Sequence, residues 1–317
     1  MDHPPVAANY ATRCLVTPPQ RLMGLLSAAI LLGAGALAAS DGRAVHPATR
    51  IVSLSPHITE LFFAVGAGGR LIGADAYSNY PEEAKRIERV ADVSAIDIER
   101  LVALHPDLVV YWKSGTPMRQ QEQLKKLGLN LYGTEQRSLA DIEAALTEFG
   151  QLGGAPDQAR QVAAQFHSDL QRLRDRYAGR ETLKVFYQVW DRPLYTLAGG
   201  HVVNEVLNLC GAQNIFARLT GLAPVVDTEG VLARDPDVII VAAIGAEGVR
   251  QARAWEKYTG LSAVRTHRIY LMEPDLLNRM TPRILEGVDR LCATLDQARL
   301  RAGAGRRPAA RASVARR

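Results

Sequence analysis

Apolar and polar positions along this chain follow two alternating rhythms. From Arg50, RIVSLSP is a short β-rich run stopped by Pro56, and ITELFFAVGAGG then has helical spacing and ends in glycines. RLIGADAYSNYP returns to an extended run with a turn at Pro81. The alternation continues with SAIDIERLVALH as helix, DLVVYW as strand, MRQQEQLKKLG as helix and LNLYG as strand. Strand and helix in this order predict a mainly parallel sheet with crossover helices, a first α/β lobe over residues 45–137. From LKVFYQVW, which opens at Leu183, the same rhythm repeats to the end of a second lobe, placed at residues 182–299.

Between the lobes, residues 138–179 read as helical. Val162, Phe166, Leu170, Leu173 and Tyr177 recur every three or four positions, one apolar stripe on a helix from Pro156 to Ala178. At 1.5 Å per residue it spans roughly 34 Å. One long helix and a single chain crossing predict a rigid strut rather than a hinge.

The two lobes share sequence as well as rhythm. ERLVALHPDLVV, from Glu99 to Val110, returns as EGVLARDPDVII from Glu229 to Ile240, and ELFFAVGA from Glu60 returns as EVLNLCGA from Glu205. Two matches in the same order predict paired lobes, and a cleft between lobes is a preferred ligand site. They also make Glu99 and Glu229 a matched pair. Each stands near a helix start, where the helix dipole favours a carboxylate. Matched surface carboxylates would also suit a partner with matched arginines.

Composition changes this picture mostly at the ends. The 317 residues, 47% hydrophobic and 22% charged, suit a globular protein of two domains. Arg13 and Arg21 precede an apolar stretch from Leu22 to Leu37 followed by small residues, so residues 1–39 read as a secretory signal peptide. An uncleaved membrane anchor is the alternative. Cys14 would leave with the signal. Cys210 and Cys292 would remain, as one disulfide in an oxidising compartment or as two buried thiols. Closing that loop would contribute about 4 kcal/mol. The formal charge of +5 falls to about −2 without the six arginines of residues 301–317 and the net single charge of residues 1–39. The basic balance therefore describes the ends and gives no nucleic-acid face. Residues 300–317, low in complexity and rich in arginine, read as a disordered tail.

Enzyme signatures are missing: there is no GxSxG, GxxxxGK[ST] or HExxH pattern. Gly66, Gly68 and Gly69 end a helix instead of following a strand, so they read as a helix stop. The histidines are scattered without ligand spacing, which predicts no metal site and no resident cofactor. Aromatic residues stand at predicted strand ends: Tyr77, Trp112, Trp190 and Tyr195. Ligands of open parallel sheets bind outside the carboxyl ends of the strands, where such rings would stack on a large flat ligand. Asp275 and Arg279, after the last strand, would orient polar groups on that ligand or form a local ion pair.

SLSPHITELFFAVG, AYSNYPEEAKRIERVAD, IERLVALHPDLVVYW, CGAQNIF, VLARDPDVII and TPRI together resemble the substrate-binding proteins of cobalamin ABC importers, within the helical-backbone metal-complex receptors. The likeness covers residues 48–298, and YSNYP with TPRI is its most specific part. The resemblance implies two α/β lobes bridged by one long helix and a monomeric, non-enzymatic receptor. It implies a periplasmic location, a corrinoid held between the lobes and an ABC permease dimer as partner. By position it implies aromatic ligand contacts at Tyr77, Trp112 and Tyr195 and polar ones at Asp275 and Arg279. It further implies permease docking by Glu99 and Glu229, and a disulfide between Cys210 and Cys292. The chain departs from the pattern at Val93 and Ala223, where tryptophans are expected, and at Asn278, where a glutamate is expected. Trp190 fills a position that is small in the family, so it joins the candidate ligand contacts, and His57 is a further candidate. Cobalamin or cobinamide is the expected ligand; haem or a ferric siderophore is the alternative on the same architecture, and an exported α/β enzyme the rival class.

Overall fold

A computed structural model describes residues 47–92 and 95–305. The expected signal segment, Cys14, Val93 and residues 306–317 lie outside the described residues. The first lobe runs β1 (Ile51–Ser53), α1 (Pro56–Ala64), β2 (Leu71–Asp75), β3 (Glu88–Ala91), α2 (Ile98–Ala103), β4 (Leu108–Trp112), α3 (Met118–Lys126) and β5 (Leu131–Thr134). Two linking helices follow, α4 (Leu139–Leu152) and α5 (Pro156–Tyr177). The second lobe begins with β6 (Leu183–Asp191), β7 (Leu194–Thr196), α6 (Val202–Leu209), β8 (Ala212–Asn214) and α7 (Thr228–Arg234). It ends with β9 (Val238–Val241), α8 (Gly245–Glu256), α9 (Ser262–Arg265), β10 (Ile269–Leu271), α10 (Pro274–Leu277) and α11 (Ile284–Gly305).

The sheets have the same plan. In the first the order is β3-β2-β1-β4-β5, all parallel. In the second, β6 is flanked by β9 and β10 on one side and by β8 on the other, all parallel. One feature was not expected: after Trp190 the chain reverses at Arg192-Pro193 and β7 pairs antiparallel with β6. A two-residue turn without Gly or Asn and a strand of three residues carry little sequence signal.

Strand residues alternate between two cores. Ile51, Leu108 and Val110 of lobe 1, with Val185, Tyr187, Val238 and Ile240 of lobe 2, all belong to one continuous apolar cluster. That cluster also takes in Phe62 of α1, Phe149 of α4, Phe166 and Leu170 of α5, and Leu291 of α11. The opposite faces pack on separate clusters: Val52 and Val109 against Leu101 and Leu124, and Phe186 and Ile239 against Val231 and Trp255. The lobes thus share a helical layer, and both belong to one compact unit. This explains the strut physically. The helix α5 buries Ala159, Ala163, Phe166, Leu170 and Tyr177 in the shared layer, with Val162 and Leu173 half-buried at its margin. Moving one lobe against the other would expose that layer.

One boundary is shifted by packing. The last helix continues to Gly305, beyond the expected tail start at residue 300. Leu291, Leu295 and Ala298 bury one face of it, and Arg299 ties it down by donating to the carbonyls of Cys210, Gly211 and Glu181. Cys210 and Cys292 form a disulfide across 82 residues, which fastens α11 to the end of α6.

Candidate functional site

In both lobes most parallel strands lead at their carboxyl ends through loops into helices, so loop side chains collect along that edge. In lobe 1 they form a crevice of about 240 Å³, lined by Ser55 and Pro56 after β1, Asp75 and Tyr77 at the end of β2, Asp92 after β3 and Trp112 at the end of β4. Tyr77 and Trp112 therefore share one crevice, as two faces of it. Trp112 is held in place: its Nε1 donates to Glu135 Oε1 at 3.3 Å, and the same carboxylate accepts from the Ser114 backbone at 2.9 Å. Its ring lies so close over Gly115 that a Cβ there would fall 1.8 Å from it, so the turn requires glycine. Gly66, by contrast, has φ +81° just past α1 and is the helix stop that its context implied.

Tyr77 is 54% exposed and Trp190, on the second lobe's hairpin, is 53% exposed. Trp190 lies opposite Tyr195 across β6 and β7, and Tyr195 bridges to Val225 on its other side. Val225, and Ile244 at the carboxyl end of β9, are also exposed. These two aliphatic residues, with Met118 at the start of α3, extend the apolar rim beyond the expected aromatics. A lone Val or Ile at a loop start has no sequence signal, whereas an aromatic does. The 240 Å³ crevice itself is lined by lobe 1 alone, so Trp190 and Tyr195 belong to the rim of the other sheet and not to it.

Where the two edges meet, charge dominates. Glu60 of α1 is 2% exposed and accepts from Arg279 Nη1 at 2.6 Å and from Arg283 Nε and Nη2, both at 3.0 Å. Arg279, 11% exposed, also reaches Asn79 Oδ1 at 2.8 Å, the Tyr77 carbonyl at 3.3 Å and Asp275 Oδ2 at 2.8 Å. Arg283 stacks over the Tyr80 ring at 3.8 Å. Asp275 and Arg279 are thus the local ion pair of the alternative expectation, built into a bridge between lobes. Arg279 is engaged by lobe 1 instead of pointing free into a cleft. Asn278, at the position where a glutamate was expected, accepts from the buried Tyr187 hydroxyl at 2.9 Å. Glu205, the counterpart of Glu60, also leaves its own lobe: it accepts from the Leu139 backbone at 2.7 Å and pairs with Arg174 at 3.3 Å.

His57 is corrected. It is 3% exposed, one ring behind Trp112 at 5.3 Å in an edge-on contact, and it does not line the crevice. Its Nδ1 lies 2.8 Å from Ser55 Oγ, and among the described residues its Nε2 has no partner. Burial first, and Arg279 second, hold its pKa down to about 3, so it is neutral. As the second residue of α1 it turns inward under the loop, which places it as packing behind Trp112.

Glu99 and Glu229 each occupy the first turn of a short helix at the carboxyl edge of their own sheet, on α2 and α7. The cap in each case is the aspartate two residues earlier: Asp97 Oδ1 accepts from the Arg100 backbone at 3.0 Å and Asp227 Oδ1 from that of Gly230 at 2.6 Å. Capping therefore does not account for the glutamates. Both are exposed, and among the described residues neither has an ion-pair or hydrogen-bond partner.

A family model described as periplasmic binding protein matches residues 51–276. The chain belongs to the periplasmic binding protein family. This periplasmic binding protein is 37% identical over 249 residues to the vitamin B12-binding protein of Vibrio cholerae O1, a match covering 78% of this chain and 90% of the relative. The crystal structure of the periplasmic vitamin B12 binding protein BtuF of Vibrio cholerae matches with a TM-score of 0.75 at 36% identity, over 80% of this chain and 98% of that one. A periplasmic heme-binding protein from Roseiflexus, RhuT, matches at 0.70 and 25% identity, over 78% and 98%. The family is one of binding proteins and not of enzymes. Among the described residues no helix is long and apolar enough to cross a membrane.

Proposed function

We propose that this binding protein captures a corrinoid, cobalamin or cobinamide, between its lobes and delivers it to an ABC import permease. The observation that carries the reading is the row of large side chains left exposed at the carboxyl edges of both sheets, Tyr77 and Trp190 above all. Rings on two opposed edges suit a wide, flat, largely apolar macrocycle. The cations at that edge support a corrinoid over haem or a ferric siderophore. Arg279 and Arg283 are engaged by Glu60, and Arg89 donates to the carbonyls of Asp75 and Ser78, so none is poised for a ligand carboxylate. The names of its vitamin B12-binding relatives point the same way.

Docking is assigned to Glu99 and Glu229, the matched and unpaired carboxylates, against arginines of the permease. Residues 1–39 act as the export signal, and the disulfide fits an oxidising periplasm. Titration of the purified protein with cyanocobalamin, by tryptophan quenching and calorimetry beside haem and a ferric catecholate, tests the ligand. Saturable binding of a corrinoid alone is expected. Binding of haem without any corrinoid response would remove the proposal.

A further inference from the structure

The lobe 1 crevice contains a carboxylate that neither packing nor the apolar rim explains. Asp75 ends β2 and is 5% exposed, yet it lines the crevice beside Tyr77 and Trp112. Its Oδ1 accepts from the Tyr77 backbone at 2.8 Å, and among the described residues its Oδ2 has no hydrogen-bond partner. Among the described residues no cation pairs with its carboxylate: Arg89 turns its guanidinium to backbone carbonyls, one of them that of Asp75 itself, and Arg279 is held by Glu60 and Asp275. A second carboxylate, Asp92, lines the same crevice, and Ser55 lines it as well. Desolvation pushes the Asp75 carboxyl above its ordinary range, with Asp92 adding to this and the Tyr77 N–H, Arg89 and Arg279 opposing it. The open oxygen is not one of the buried polar atoms without a partner, and Asp75 lines the crevice, where a ligand donor can reach it.

We propose that Asp75 is a ligand-reading residue: its open oxygen accepts a hydrogen bond from a carboxamide N–H on the rim of the bound macrocycle, and the crevice rejects carboxylates at that position. The inference rests on the corrinoid reading above and adds to it the residue that distinguishes peripheral amides from the corresponding acids. The crevice thereby separates a finished, amide-bearing corrinoid from its acid form, since a carboxylate placed beside Asp75 would meet like charge in a partly desolvated space. Such a receptor takes the product of an amidating reaction and leaves its substrate outside.

The test compares dicyanocobinamide with dicyanocobyrinic acid, which carries carboxylates where the first has amides, on the wild type, Asp75→Asn and Asp75→Ser. Asparagine keeps an oxygen for the Tyr77 N–H and places a donor in the crevice, so a residue that merely holds the loop would leave the preference unchanged. The wild type should prefer the amide form, and both variants should narrow that preference roughly tenfold, the worth of one charge-assisted hydrogen bond. Thermal midpoints and retained cobinamide binding show that the variants fold; serine stands in where asparagine does not. An equal preference in all three proteins, with cobinamide still bound, overturns the assignment of Asp75 alone. No binding of either corrinoid by the wild type overturns the corrinoid reading and this proposal with it.

Discussion

Replacing Glu60 by glutamine tests whether the lobes are clamped by charge as well as by their shared core. The carboxylate is buried and takes three hydrogen bonds from two arginines of the opposite lobe at 2.6–3.0 Å. Removing one partner of a buried pair costs about 3–5 kcal/mol when the other charge is left without relief. Here relief is partial. Arg279 keeps Asp275 at 2.8 Å, Arg283 keeps the face of Tyr80 and some solvent, and the amide oxygen still accepts. The expected loss is therefore about 2 kcal/mol, which at an m-value of roughly 3 kcal/mol/M lowers the urea midpoint by about 0.7 M. Unfolding should remain a single transition, because one apolar cluster spans both lobes. The same substitution frees two cations at the sheet edges, so affinity for haem, with its two carboxylates, should rise roughly tenfold relative to cobinamide. A midpoint within about 0.1 M of the wild type, together with unchanged haem affinity, would refute the clamp.

Serine at both Cys210 and Cys292 removes a crosslink over 82 residues and should lower stability by roughly 4 kcal/mol in urea titration, less if the reduced chain keeps residual structure. Burial holds His201 down to about 4, and burial with Arg279 holds His57 down to about 3, against about 6.5 unfolded. Between those values the unfolded chain binds the protons, so stability falls as pH drops below about 6.5, by about 2 kcal/mol per histidine from pH 7 to 5. His201→Asn should remove its share of that slope; an unchanged slope in the variant would sink the assignment. Glu99→Lys with Glu229→Lys should abolish corrinoid uptake in cells while the affinity of the purified protein stays within about twofold, since both side chains are exposed and unpaired. A collapse of affinity instead would place these glutamates in the ligand site.

What the sequence determined by itself was everything carried by local periodicity or by duplication. The alternation around DLVVYW and VIIV, the stripe through Phe166 and Leu170, and the glycine stop at Gly66 each depend on neighbours within a few positions, where strand and helix geometry act directly. The repeated Glu99 and Glu229 segments likewise specified equal places in two lobes, and the structure adds the aspartate caps that leave both glutamates without a local task. The tertiary structure decided which polar groups line the crevice and which are engaged by other parts of the protein. Arg279 and Asp275 look like cleft residues in sequence, but Glu60, more than 200 positions away, draws the arginine across the lobe boundary. His57 looks accessible after a strand, yet the first turn of α1 buries it behind Trp112. Asp75 is an ordinary strand end in sequence and acquires its open oxygen only because the arginines near it are engaged elsewhere. Competition among distant partners for one charged group is a three-dimensional property, and no spacing along the chain encodes its outcome.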